Sequence, residues 1–144
     1  MTPVELLARR EALGLSLKAL GEVWGVRPDS IARWEFGRNP PKDWTWIAET
    51  ITSMEEYQDD LVAELIEASR RVHADTGEAA LVTFHSRGAF YRWHPEARGK
   101  QWRGSGQGVP VELHRTATAR AAYELRTVHG LEGISISAAP EGGV

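Results

Sequence analysis

The chain of 144 residues contains no cysteine. That absence excludes disulfides, thiolate metal sites, CxxC redox motifs and cysteine nucleophiles. No stretch approaches the roughly 20 consecutive apolar residues that a membrane span needs, so no membrane role is expected. Met1-Thr2-Pro3-Val4-Glu5 lacks the basic and apolar regions of a secretory signal, and the expected compartment is therefore the cytoplasm. The phosphate-cradling GxxxxGKS/T loop, the HExxH zinc pair and the GxSxG nucleophile turn are missing too. His85, His94, His114 and His129 show no ligand spacing and are expected at the surface or at strand ends. Neither enzymatic activity nor a metal or cofactor is expected.

What is present suits a small modular protein. With 42% hydrophobic and 26% charged residues, the composition is globular, and the length allows one domain or two small units sharing a core. The net charge of −3 is unevenly spread: residues 1–43 carry +1, residues 44–79 carry −7 and residues 80–144 carry +3. Two weakly basic ends thus flank an acidic middle, and overall acidity does not exclude nucleic-acid binding by one face.

The first forty residues specify three helices. Thr2 can cap the first, Pro3 suits its first position, Glu5 completes a capping box, and Gly14 ends it. Ser16 caps a second helix over Leu17–Trp24, which Gly25 terminates. Pro28 opens a third in which Ile31 and Trp34 recur at helical spacing, and Gly37 stops it before Asn39-Pro40-Pro41. Gly21 gives room for a close crossing, while Val26, Ile31 and Trp34 are expected to close a small core beneath the third helix.

Leu15-Ser16, Leu20-Gly21, Gly25-Val26, Ser30-Ile31, Arg33-Trp34-Glu35 and Gly37-Arg38 together resemble the helix-turn-helix of the Cro/C1-type, or XRE, family of DNA-binding proteins. The resemblance implies an ion pair between Arg10 and Glu35. It also implies a third helix whose first turns enter the major groove of double-stranded DNA, which places Asp29, Ser30 and Arg33 at base edges. Arg27, Arg38, Asn39 and Lys42 fall where phosphates are contacted. Two positions depart from the family: Leu17 stands where a phosphate-binding glutamine is usual, and Arg27-Pro28 replaces a hydroxyl cap.

Beyond Asp43, which can cap a further helix, Ile47, Ile51, Met54, Gln58, Leu61, Leu65, Ala68 and Val72 alternate by four and three. Such a heptad seam either pairs two copies or packs within one chain, with Gln58 fixing register. Thr52-Ser53 is a candidate break. Glu55, Glu56, Asp59, Asp60 and Glu64 form a solvated face. Ala80–His85 reads as a buried strand, with a helical turn over Ala89–His94. A glycine-rich basic loop with Arg98, Lys100, Trp102 and Arg103 follows, either a plain connector or an accessory nucleic-acid loop that clamps phosphate and stacks a base. Leu113, Ala117, Ala121, Leu125 and Val128 then mark a helix, and Ile134–Ser137 a second strand. In this organisation, around Trp102 and in the alanine-rich helix, the chain also resembles the YdiL-like bacterial proteins.

The expected architecture is mainly α with a small α+β part. It comprises a helix-turn-helix domain over residues 1–53, a connecting helix over 54–76, a two-stranded α+β unit over 77–137 and a disordered tail over 138–144. The expected function is sequence-specific regulation of transcription, most simply repression, by a homodimer of bacterial, phage or mobile-element origin, with the C-terminal unit available for a protein partner. Two other classes stay open: an antitoxin-like protein that binds its partner through the C-terminal unit, and an interaction module that no longer binds DNA.

Overall fold

A computed structural model describes residues 1–103 and 106–141. The described residues form helices α1 (Pro3–Ala12), α2 (Leu17–Trp24), α3 (Pro28–Glu35), α4 (Thr45–Thr76), α5 (Arg87–Trp93), α6 (Pro95–Arg98) and α7 (Val111–Thr127), with strands β1 (Ala79–Thr83), β2 (Gln101–Arg103), β3 (Gly106–Gln107) and β4 (Ile134–Ala138). The protein is mainly helical with a small strand component. β1 and β4 pair in parallel, Ala79 beside Ile134 through Thr83 beside Ala138, and β2 and β3 form an antiparallel hairpin within the basic glycine-rich segment. Among the described residues no helix is long and apolar enough to cross a membrane.

Local chemistry explains the first three helices. Thr2 Oγ1 accepts the Glu5 N–H at 3.2 Å, but the Glu5 carboxylate turns to Arg9 rather than back to the cap. Ser16 Oγ accepts the Ala19 N–H at 3.0 Å, and Gly25 closes α2 in the left-handed region at φ 66°. Gly21 is required for space: a Cβ there would lie 2.5 Å from the Val26 carbonyl oxygen, in the turn that leads into α3. Leu6, Leu20 and Ile31 are fully buried beneath the three helices. Trp34 and Val26, expected in that core, are only half-buried at its rim, and Trp34 meets the edge of Trp46 at 6.3 Å.

Arg10 ties the unit together. Its Nε donates to Glu35 Oε2 at 2.6 Å, its Nη2 to Glu35 Oε1 at 3.0 Å and its Nη1 to the Leu15 carbonyl at 2.8 Å. Both side chains are buried.

α4 begins with Asp43 Oδ1 accepting the Thr45 N–H at 2.9 Å and runs unbroken through Thr52-Ser53. Its neighbours hold it there: Thr52 accepts a hydrogen bond from Arg9, which also clamps Glu55. The expected boundary between residues 53 and 54 therefore falls inside one helix. The heptad seam is fully buried as far as Gln58 and half-buried at Leu61 and Leu65, which pack against the α7 cluster, and it fails after them. Beyond Gln58, Val62 and Ser69 are buried, whereas Ala68 and Val72 are exposed. Ile47, Gln58 and Ser69 repeat every 11 residues, the period of a nearly straight helix, so the buried face drifts off a 3.5-residue stripe. The same chain covers that face with α7: Gln58 Nε2 donates to the Leu113 carbonyl at 3.2 Å, and Arg120 donates to Gln58 Oε1 and to Asp59. Of the two readings of the seam, packing within one chain is the one observed.

In α7 the small Ala117, Ala121 and Ala122 are fully buried against Val62, Leu81 and Leu125, while Val128 lies past the helix end and is exposed. The two ends of the chain share a core in which Leu13 and Leu15 pack with Phe84, Phe90, Val109 and Leu113. A Cβ at Gly14 would overlap the Thr116 hydroxyl of α7. The expected disordered tail is corrected as well: Ala138 ends β4, the Ala139 N–H donates to the Thr83 carbonyl at 2.9 Å, and Glu141 accepts from Ser86 Oγ at 2.7 Å. Residues 142–144 lie outside the described residues.

His114 also corrects the sequence reading. It is buried rather than superficial, with its ring 5.1 Å from both Phe84 and Phe90 and its Nδ1 sharing a 2.9 Å hydrogen bond with Thr83 Oγ1. Burial, with a smaller contribution from nearby His94, pulls its pKa from 6.5 down to about 4.

Two predictions follow the packing. Glu35→Ala strands the Arg10 cation in the interior and is expected to cost about 3–5 kcal/mol in denaturant unfolding; unchanged stability would show that the pair is not buried in solution. Because the unfolded chain protonates His114 near pH 6.5 and the folded chain only near pH 4, the unfolded state binds more protons in that window. Stability contributed by neutral His114 is present above the window and declines by about 3 kcal/mol as pH falls through it. His114→Gln should flatten this decline between pH 7 and pH 4; an identical decline in the variant would contradict the assignment.

Candidate nucleic-acid interface

α3 is built to show one side and bury the other. Pro28 presets its first turn, and Arg27 at the cap position makes no side-chain cap bond and stays exposed. Ile31 and Glu35 point inward, the first fully buried and the second held by Arg10. Residues three to four apart share a helix face, so Asp29 and Arg33 share the opposite, exposed side, with Ser30 half-buried beside them. Asp29 lies 4.0 Å from Arg27, both well exposed. Arg33 makes no ion pair among the described residues.

The segment after α3 stays close to it. The Arg38 N–H donates to the Arg33 carbonyl at 2.8 Å, and Gly37 and Asn39 take left-handed backbone at φ 74° and 44°. Arg38, Asn39 and Lys42 are all exposed. From Arg27 to Lys42 the exposed charges are therefore four cations against the single carboxylate of Asp29, since Glu35 is consumed internally. Such a surface has the sign and the donor chemistry for a polyanion, and an arginine on a helix face can donate two hydrogen bonds to a guanine edge.

Other expected positions divide. Leu17 packs half-buried against the core, so the second residue of the α2 cap offers no polar contact, and the neighbouring Lys18 is the exposed cation there. Arg98 and Lys100 are exposed, but Trp102 is half-buried and already engaged. Its Nε1 donates to the Gly108 carbonyl at 2.9 Å, its ring meets Tyr57 edge-on at 5.5 Å, and the Lys100 ammonium lies 5.0 Å from its centroid. The side chain of Arg103, together with Gly104 and Ser105, lies outside the described residues. Among the described residues no group of three or more His, Asp or Glu side chains is placed to hold a metal.

Two features escaped the sequence reading. Phe36, the residue after α3, is 74% exposed, a large apolar side chain beside Arg33 and Arg38. A cleft of about 330 Å³ separates α2 from the C-terminal unit, lined by Lys18 and Glu22 on one wall and by Arg87, Tyr91 and Arg115 on the other. Arg87 bridges it to Glu22 at 2.7 Å. Phe36 follows Arg33 by three residues, so helical spacing places it on the exposed side, one residue before the terminating Gly37; the cleft depends on tertiary packing and has no local signal.

No protein-family model matches this chain, and no curated protein matches it. The functional reading therefore rests on the residues themselves.

Trp102→Ala separates a packing role from a contact role. Loss of the Tyr57 contact and the Gly108 bond should cost about 2 kcal/mol of stability, below the range of a fully buried tryptophan. A variant as stable as the parent would show that Trp102 does not hold the hairpin to α4 and is free to meet a ligand.

Proposed function

We propose that this chain is a sequence-specific double-stranded-DNA-binding regulator of transcription, of the Cro/C1 helix-turn-helix type, with α3 as the element that reads base edges. One observation carries the reading: the buried Arg10–Glu35 pair fixes α3 from below while Asp29 and Arg33 stay exposed above, flanked by Arg27, Arg38 and Lys42. Fixed orientation beneath, with an exposed donor and an exposed acceptor on top, is what direct readout of a groove requires. Arg33 supplies a bidentate donor for guanine O6 and N7, and Asp29 an acceptor for cytosine N4. Arg27, Arg38, Asn39 and Lys42 neutralise or bond phosphates and set the register of docking without reading sequence. Because one short helix covers only a half-site, useful affinity calls for two copies on a symmetric operator.

Binding to DNA of the preferred sequence, measured at several salt concentrations, tests these roles. Arg33→Ala is expected to lose about 1–3 kcal/mol and to flatten the preference at one base pair. Arg38→Ala should weaken all sequences alike and reduce the slope of log affinity against log salt by about one unit. If Arg33→Ala leaves affinity and preference untouched, α3 does not read bases, and the exposed Phe36 favours a protein-contact role for the same surface.

A further inference from the structure

Among the described residues the parallel sheet has two strands, and its flanking bonds fix which peptide groups each strand turns outward. Ala79 donates its N–H to the Gly133 carbonyl at 3.0 Å, and Ala139 donates to the Thr83 carbonyl at 2.9 Å. With Ala79 beside Ile134 and Thr83 beside Ala138, the peptide groups of residues 133, 135, 137 and 139 face β1, and those of Ile134, Ile136 and Ala138 face away from it. Arg126 reaches this outer edge from α7, donating to the Ile134 carbonyl at 2.9 Å. Among the described residues no strand lies beside it.

Three properties of this edge point to a strand of the same kind as its occupant. From Gly133 to Ala139 the strand's own residues include neither charge nor proline, and Arg126 covers the edge only at the Ile134 carbonyl, whereas edges that stay single are normally guarded along their length. Its apolar layer is unfinished: Ile136 stands in register with Leu81, yet it is 42% exposed while Leu81 and Ile134 are 3% and 8% exposed. The strand also complements itself. In an antiparallel pair centred on Ile136, the outward groups of Ile134, Ile136 and Ala138 meet those of Ala138, Ile136 and Ile134 in the second copy, so each outward N–H meets a carbonyl, the Ile134 carbonyl using its second lone pair because Arg126 holds the first. That register sets Arg126 of each copy near residues 138–141 of the other, a segment whose single charge is Glu141.

We propose that β4 is the contact through which two copies of this chain associate, giving a continuous four-stranded sheet in the order β1-β4-β4-β1 across a twofold axis at Ile136. The need for two copies rests on the DNA reading above, while the edge chemistry stands without it.

The cysteine-free chain of 144 residues gives a clean test. Paired residues at the axis have Cα atoms about 5.5 Å apart, within disulfide reach, so Ile136→Cys should form a covalent dimer on mild oxidation. Val82→Cys, on β1 and 44% exposed in the parent, should not. By light scattering, Ile136→Lys should raise the dimer dissociation constant roughly tenfold or more, and Ile136→Val should leave it unchanged. In the unmodified protein, hydrogen exchange at the Ile136 amide should slow with rising concentration, while the Ser135 amide, which faces β1, stays slow throughout. A monomeric parent, equal cross-linking of Val82→Cys, or unaltered association of Ile136→Lys overturns the proposal. A monomer that still selects a DNA motif removes the β4 contact and leaves the DNA reading standing; a β4 dimer without DNA affinity does the reverse.

Discussion

The Arg10 guanidinium meets three segments at once: it leaves α1, bonds the carbonyl of Leu15 just before α2, and grips both carboxylate oxygens at the end of α3. Helices of eight residues, such as α2 and α3, are too short to persist alone, and their orientation comes from tertiary contacts. Among those contacts apolar packing is non-directional, whereas a two-pronged ion pair in a water-poor site sets both distance and angle. The outward display of Asp29 and Arg33 follows from that constraint, because the inward side of α3 is committed to Ile31 and Glu35. Ala in place of Glu35 would thus disturb the candidate surface through its support rather than through any contact of its own.

α4 extends the same logic to the whole chain. Its first half closes the core under α1–α3 through Ile47, Ile51 and Met54, and its second half carries the sheet and α7 through Val62, Leu65 and Ile66. A continuous 32-residue helix leaves no flexible joint at residues 53–54. Gly14 against Thr116 and Arg87 against Glu22 add side contacts between the two ends. The α+β unit therefore holds a fixed position beside α2, and whatever it binds acts on a surface rigidly linked to α3.

Much of this was legible because it depended on local chemistry. Thr2, Ser16, Gly25 and Gly37 mark helix ends by hydrogen bonding and by positive φ, effects that act within four residues. The Arg10–Glu35 pair, 25 residues apart, was legible only through the resemblance to a known family. The misread features depend on what packs where. Thr52-Ser53 reads as a break by propensity, yet Arg9 and the buried Ile51 and Met54 hold the helix through it. Ala68 and Val72 fit a heptad, but α7 follows the 11-residue period instead. Trp102 stands in a glycine-rich basic stretch that suggests a free loop, and Tyr57, distant in sequence, captures it. His114 shows no spacing that foretells burial; the aromatic rings around it are Phe84, just after β1, and Phe90 of α5. On the candidate surface the exposed positions of α3 were readable from period and cap, and Phe36 was open to the same period, whereas the α2 cleft was not.

The central claim is that α3 reads base sequence, and selection of bound molecules from a random double-stranded DNA pool by the purified 144-residue chain tests it most directly. The expected result is an enriched inverted repeat whose half-site centres lie about 34 Å apart or a multiple of that, as two symmetry-related copies require. Retention of DNA without any enriched sequence, or no retention at low salt, would contradict it.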